Sequence, residues 1–262
     1  MGTSTHNIGQ KGGTPLVPSW LEEDEGKKKI MPEKGDGNRF SAARGDLTRY
    51  ISSGGRDTSN ARAGLSKYVR DSLGGSSNAA KRMGSANRSA ARLLGGYGAL
   101  AFGGVHEFEQ YFSLEDVSDR PISEVLSQLT DKICDDGGLI DQSIFRSAYI
   151  DALTDNPEIV DKTVAEMTPE MFLSIIKDAI ANAVTGRITN DVFNKVVFYP
   201  DDVNKASQLE EQVEDFIHNC VADAFTKENI NVNHLSGSDA NSVITHVYER
   251  TFKFIELAGE NE

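Results

Sequence analysis

The sequence predicts an all-α protein, and three observations carry that expectation. Apolar residues recur at three- and four-residue spacing along most of the chain beyond residue 40. The breaks between those stripes are made of Gly, Pro, Asp and Asn, the residues of turns. No alternating run is long enough for a sheet; the best strand candidate, Val196-Val197-Phe198-Tyr199, reads equally as a helix end. Three regions are expected: a flexible Gly/Pro-containing tail over 1–38, a basic Gly/Ala-rich helical region over 39–104, and an acidic helical domain over 105–262.

The tail has too little apolar surface to offset its ordering entropy. Its Gly and Pro content, the acidic run Glu22-Glu23-Asp24-Glu25 and the basic run Lys27-Lys28-Lys29 all argue against a core. In the middle region Ser41 is placed to cap a short helix that stops near Ser52-Ser53-Gly54-Gly55. Asp57 or Thr58 caps the next, with Leu65, Tyr68, Val69 and Leu73 on one face and Gly74-Gly75 as its stop. A third helical stretch runs from Asn78 to Phe102, rich in alanine and interrupted by Gly84, Gly95, Gly96 and Gly98. Each glycine costs a helix up to about 1 kcal/mol, so this stretch needs a packing partner.

The remaining helices are more regular. Ile122, Val125, Leu126, Leu129 and Ile133 form one stripe; Ile140, Ile144, Phe145, Ala148, Tyr149 and Ala152 form the next. Thr168-Pro169, an N-cap followed by proline at the first helical position, opens the strongest stripe, Met171 through Val184. Two more run from Leu209 to Phe225 and from Val243 to Ile255.

Composition sets limits on function. The net charge of −13 divides into +7 over 1–104 and −20 over 105–262. Two cysteines, Cys134 and Cys220, provide no disulfide framework and suggest a reducing compartment. There is no secretory h-region, His6 stands where myristoylation wants Ser or Thr, and the longest apolar run, Leu93 to Phe102, is too short for a span. A soluble cytoplasmic protein with no membrane association is expected.

No enzyme or cofactor signature emerges. His218 and Cys220 sit about 200° apart on a helix and cannot share a metal, and His234 and His246 lie elsewhere. Asp131 to Gln142 misses the calcium-loop pattern at Asp136 and Gln142. Neither a nucleophile elbow nor a phosphate loop is present. We therefore expect a non-enzymatic protein with no metal and no cofactor. Arg44, Arg49, Arg56, Arg62, Arg70 and Arg82 form a possible basic contact stripe for phosphates or for an acidic protein surface; few aromatics interleave them, so base stacking is not indicated.

The tail carries a different chemistry. Met1 is removed when residue 2 is as small as Gly2, which leaves an unhindered glycine amine. An α-amino group titrates near pH ~7.7–8 and a lysine near ~10.4, so at neutral pH the terminal amine is the better nucleophile. Thr3, Ser4 and Thr5 make an uncharged thread behind it, and Pro15, Leu16, Pro18 and Trp20 form a Pro-flanked apolar knot that a partner could hold.

Several segments together resemble the QatB family of bacterial Qat anti-phage defence systems. They are Met1-Gly2-Thr3-Ser4-Thr5, the Gly-Gly-Thr-Pro-Leu-Val-Pro-Ser-Trp segment at 12–20, Arg39-Phe40, Gly55-Arg56-Asp57, Tyr68-Val69-Arg70, Gly74-Gly75-Ser76 and Ala79-Ala80-Lys81-Arg82-Met83-Gly84. The likeness covers roughly 1–104; the acidic half is similar only in general character. It implies a non-enzymatic defence subunit encoded beside an ATPase, a QueC-like (QatC-type) enzyme and a TatD-like nuclease. The implied role is that of protein substrate: the QueC-like partner would join a 7-deazaguanine-type group to the Gly2 amine. The alternatives are an adaptor bridging ATPase and nuclease, or a DNA-binding subunit using the basic stripe.

Overall fold

The computed structural model describes residues 38–134, 140–193, 203–228, 235 and 237–259. The tail residues Gly2, Thr3, Ser4, Thr5, Pro15, Leu16, Pro18 and Trp20, and the strand candidate at 196–199, lie outside them. Among the described residues all regular structure is helical, with no strand.

Helix α1, Ser41–Ser52, ends where Gly54 and Gly55 take left-handed φ values of 66° and 74°. Its cap position is Phe40 rather than the expected Ser41, and no side chain caps it. Helix α2, Thr58–Lys67, is capped by Asp57, which accepts from the Asn60 N–H at 3.4 Å. The α1–α2 contact is close because Gly64 faces Leu47: a Cβ there would sit 2.7 Å from Leu47 Cγ. α2 widens into a π-turn, Tyr68–Ser72, before Gly74 and Gly75.

The single stretch expected from Asn78 to Phe102 is broken. A short helix α3, Ser76–Lys81, turns at Arg82 and Met83, and the Met83 side chain is buried at that turn. Helix α4 then spans Gly84–Phe112, with a non-helical break at Gly104 (φ 70°, ψ −155°). The break reverses the chain. Gly95 and Tyr111 are sixteen residues apart, so a straight helix would separate them by about 24 Å. Yet the Tyr111 ring lies against Gly95 and the Phe112 ring against Gly96, with no room for a Cβ at either glycine. α4 is thus a helical hairpin, and glycines that weaken its first arm make room for the aromatics of its second.

Helix α5, Ile122–Ile133, buries the whole predicted stripe. Its start is held by an antiparallel bridge between Pro121 and Thr163, with the Ile122 N–H donating to Lys162 at 2.8 Å. Helix α6, Ile140–Thr154, buries Phe145, Ala148, Tyr149 and Ala152. Ile140, expected on that face, is 65% exposed at the helix start. A single turn, α7 (Pro157–Val160), and a 3₁₀ turn with a Thr163/Glu166 capping box lead to α8, Pro169–Ile188. As predicted, Thr168 caps α8, accepting from the Met171 N–H at 3.3 Å. Phe172, Ile175, Ile176, Ile180, Val184 and Ile188 are all buried there, which contributes on the order of 10 kcal/mol as an upper bound. α9, Val203–Lys227, and α10, Gly237–Leu257, close the core through Val213, Ile217, Cys220, Val221 and Ala224 and through Ile244, Val247, Tyr248, Phe252 and Ile255.

The basic and acidic regions pack on each other. α2 and α3 rest on α10, and α4 packs against α6, α8 and α10, so the described residues form one compact unit. Polar bonds stitch the seam: Ser66 Oγ donates to the Glu256 carbonyl at 2.5 Å, Tyr50 Oη to Gln212 Oε1 at 2.7 Å and Asn87 Nδ2 to Thr245 Oγ1 at 2.9 Å.

Two glycine substitutions distinguish packing from propensity. Gly96→Ala drives a methyl into the Phe112 ring and is expected to destabilise by about 1–3 kcal/mol. Gly45→Ala, with nothing within 4 Å of the new Cβ, is expected to stabilise by about 0.4–1 kcal/mol. Urea unfolding midpoints of the two variants check both signs.

Candidate functional site

A highly connected polar centre among the described residues lies where two π-turns meet. α8 runs past Ile188 into Thr189–Phe193, and this wide turn brings Asp191 inward to 9% exposure. The Asp191 carboxylate accepts from Tyr68 Oη at 2.9 Å and from Arg187 Nε at 3.1 Å, while its main-chain carbonyl accepts from Arg44 Nη2 at 3.1 Å. Arg187 also pairs with Asp141 of α6. Tyr68 begins the other π-turn and stacks on Phe40 at 5.9 Å. The Phe40 ring carries two guanidinium groups, Arg39 at 4.4 Å and Arg44 at 5.4 Å.

Burial and the nearby Asp191 charge push the Tyr68 phenol well above its ordinary value, so it stays a donor. Burial works against the Arg187 charge, but Asp191 and Asp141 outweigh it and the pKa rises. Asp141 is raised by burial, with Arg187 opposing. The cluster ties α1, α2, α6 and α8 together. The sequence reading placed Arg44 on the basic stripe and missed Asp191, whose partners Tyr68 and Arg44 lie more than a hundred residues away.

The six stripe arginines have unlike surroundings. Arg44 turns inward to Asp191. Arg49 and Lys67 both bond Asp46, at 2.5 Å each, and Asp46 is 3% exposed. Arg70 pairs with Asp71 at 2.9 Å, and Arg56 Nε donates to the Ser53 carbonyl at 3.0 Å. The side chains of Arg62 and Arg82 have no hydrogen bond or ion pair among the described residues. Arg62 borders a small cavity of ≈ 100 Å³ between α1, α2 and α9, floored by Tyr50, Leu65 and Val213.

In the acidic half, α6, α8 and α9 enclose a cleft of ≈ 340 Å³ lined by Asp151, Asp155, Asn182, Thr185 and Glu214. His218 contacts one of these lining residues: Nε2 meets Asn182 Oδ1 at 3.0 Å, and Nδ1 meets Asp178 Oδ1 at 3.4 Å. The Asp178 hydrogen bond raises the His218 pKa against the effect of burial. Burial raises Glu214 and Asp151, and neighbouring carboxylates add to it. Cys220 points instead into the core, where burial pushes its thiol up to about 12. Among the described residues no His/Cys/Asp/Glu group is placed to hold a metal ion, and no helix is long and apolar enough to cross a membrane.

Fold and site together define a class: an all-α protein in which a basic helical layer is sealed onto an acidic one through a buried ionic hub. Comparison with known families shows which such protein it is. A model described as Qat anti-phage system associated protein QatB matches residues 74–255, and the chain belongs to that family. It is thereby a subunit of an anti-phage defence system. No curated protein and no solved structure matched. The match and the resemblance read from the sequence overlap only over 74–104. Most of the matched stretch is the acidic half, the part to which the sequence reading had assigned only a general likeness.

Two measurements check this chemistry. His218 has a raised pKa in the folded state, so its contribution to stability is full below about pH 6.5 and is lost as pH rises through the folded pKa. Urea midpoints between about pH 6 and about pH 8 should fall in the parent and fall less in His218→Gln. Cys134 and Cys220 are both buried, so neither is expected to react with a thiol reagent at neutral pH until the chain unfolds.

Proposed function

We propose that the chain is a non-enzymatic subunit that serves as the protein substrate of a QueC-like (QatC-type) enzyme, which joins a 7-deazaguanine-type group to the Gly2 amine. The family assignment supports a role inside a multi-component defence system. The observation that carries the reading is the chemistry of the terminus: with Met1 removed, Gly2 offers the least hindered and most readily deprotonated amine of the chain. The amine attacks an activated carboxyl carbon and one C–N bond forms. The activating phosphate-containing group leaves, and the amine proton passes to solvent. Gly2, Thr3, Ser4 and Thr5 enter the enzyme; Pro15, Leu16, Pro18 and Trp20 are held on its surface. Asn38 lies thirty-six positions after Gly2, contour enough to span ~120 Å when extended. The body can therefore dock at a distance from the enzyme's reactive centre.

A second reading is an adaptor bridging the system's ATPase and nuclease. It draws support from the tip of the α4 hairpin, where Phe102 is 70% exposed beside Gly103 and Gly104. Direct DNA binding has less support, because Arg44, Arg49 and Arg70 already bond the chain's own acidic or carbonyl groups.

Intact and N-terminal-peptide mass spectrometry, on protein produced with and without the QueC-like partner, tests the proposal. A mass added at Gly2 only with the partner, and lost in Gly2→Pro, is the expected result. A bare Gly2 in the presence of an active partner refutes it, and intact defence after removal of residues 2–10 favours the adaptor.

A further inference from the structure

A pocket and a knob on this chain match each other in size and in charge. The pocket, ≈ 100 Å³ between α1, α2 and α9, has apolar walls made by Tyr50, Ala61, Leu65, Val213 and Phe216. Tyr50 and Gln212 both line it and are hydrogen-bonded at 2.7 Å, which ties α1 to α9 and sets the walls before anything enters. Arg62 stands at its edge, exposed, its side chain without an ion pair among the described residues. An apolar cavity of about 150 Å³ accepts a benzene ring. At ≈ 100 Å³ this pocket suits a single aliphatic side chain, with an anion beside it to meet Arg62.

The large apolar side chains exposed among the described residues are Phe102, Tyr111, Ile140, Ile150 and Leu257. Size excludes the two aromatics. Ile140 precedes Asp141, whose carboxylate is taken by Arg187, and Leu257 follows Glu256, which is paired with Lys253. Ile150 is 48% exposed and precedes Asp151, which is exposed and has no ion pair among the described residues. Ser147 and Thr154, a turn to either side of Ile150, are short and exposed, so no long neighbour screens it. Burial and the charge of Asp155 both raise the Asp151 pKa, a strain that a nearby cation relieves.

The two features face away from each other. Gln212 lines the pocket, whereas Glu214 lines the acidic cleft together with Asp151 and Asp155. Residues two apart on a helix point about 200° apart, so pocket and cleft lie on opposite sides of α9.

We propose that Ile150 of one copy of this chain enters the pocket between α1, α2 and α9 of a second copy, with Arg62 paired to Asp151. The contact is head-to-tail: each copy keeps a free pocket on one side and a free Ile150 on the other, so copies add in a row or close into a ring. The division of charge favours it, because the basic helices of one copy meet the acidic helices of the next. One aliphatic side chain and one ion pair make a small interface centre, so the association is weak and concentration-dependent.

Sedimentation velocity on the full chain, from about 5 to about 500 µM, tests the contact. The average sedimentation coefficient of the parent is expected to rise with concentration, and to rise less at high salt. Arg62→Glu and Ile150→Ser, both on exposed side chains and checked by circular dichroism, are each expected to weaken association about tenfold or more. Each of these variants retains the half that the other lacks, so their equimolar mixture is expected to form dimers that grow no further. Combining Arg62→Glu with Asp151→Arg in one chain reverses both charges and is expected to restore association. Phe102→Ser is expected to associate like the parent. A parent that stays monomeric over the whole range overturns the proposal. So does association of Arg62→Glu equal to that of the parent, a mixture that forms no dimers, or loss of association in Phe102→Ser.

Discussion

One buried carboxylate constrains how the two halves of this protein meet. Asp191 lies on an acidic-half helix and takes its bonds from Tyr68 and Arg44 of the basic half and from Arg187 one turn away. A buried ion pair adds little net stability compared with a well-packed apolar equivalent, because both charges lose their hydration. Removing one partner is costly all the same, about 3–5 kcal/mol, since the other stays buried and unpaired. The cluster therefore acts mainly on register: α1 and α2 can seat on α8 only where these donors meet this acceptor. The apolar surface of α8 and α10 supplies the driving force, and Asp191 selects the arrangement.

Much of the body was legible in the sequence. The Thr168-Pro169 start of α8, the Asp57 cap of α2 and the buried stripes of α5 and α10 follow from local rules that need no distant partner. The fold of α4 did not follow from such rules. A glycine-rich helix reads as a weak helix, and only the positions of Tyr111 and Phe112 show why Gly95 and Gly96 are there. The same limit applies to the stripe of arginines. Charge counting marks Arg44 and Arg49 as available, but a count cannot show that Asp191 and Asp46 already occupy them. Asp46 and Asp191 look like ordinary surface acids in sequence because their cations come from other turns or other helices.

The charge split takes on a different meaning once the halves are seen together. Part of the +7 is used to bind the body to itself, through Asp46, Asp191 and the carbonyl that receives Arg92 at the end of α5. Arg56, Arg62, Arg70, Lys81, Arg82 and Arg88 stay exposed in the basic half, and Asp151, Asp155 and Glu214 line a cleft in the acidic half.

The measurement that bears most directly on this account is a double-mutant cycle on Tyr68→Phe and Asp191→Asn, read by urea unfolding. The account predicts that the two changes are not independent, with a coupling of about 0.5–3 kcal/mol across the seam between the basic and acidic halves. Effects that add to within about 0.3–0.5 kcal/mol would contradict it, because the two halves would then be held together without the carboxylate that is argued to set their register.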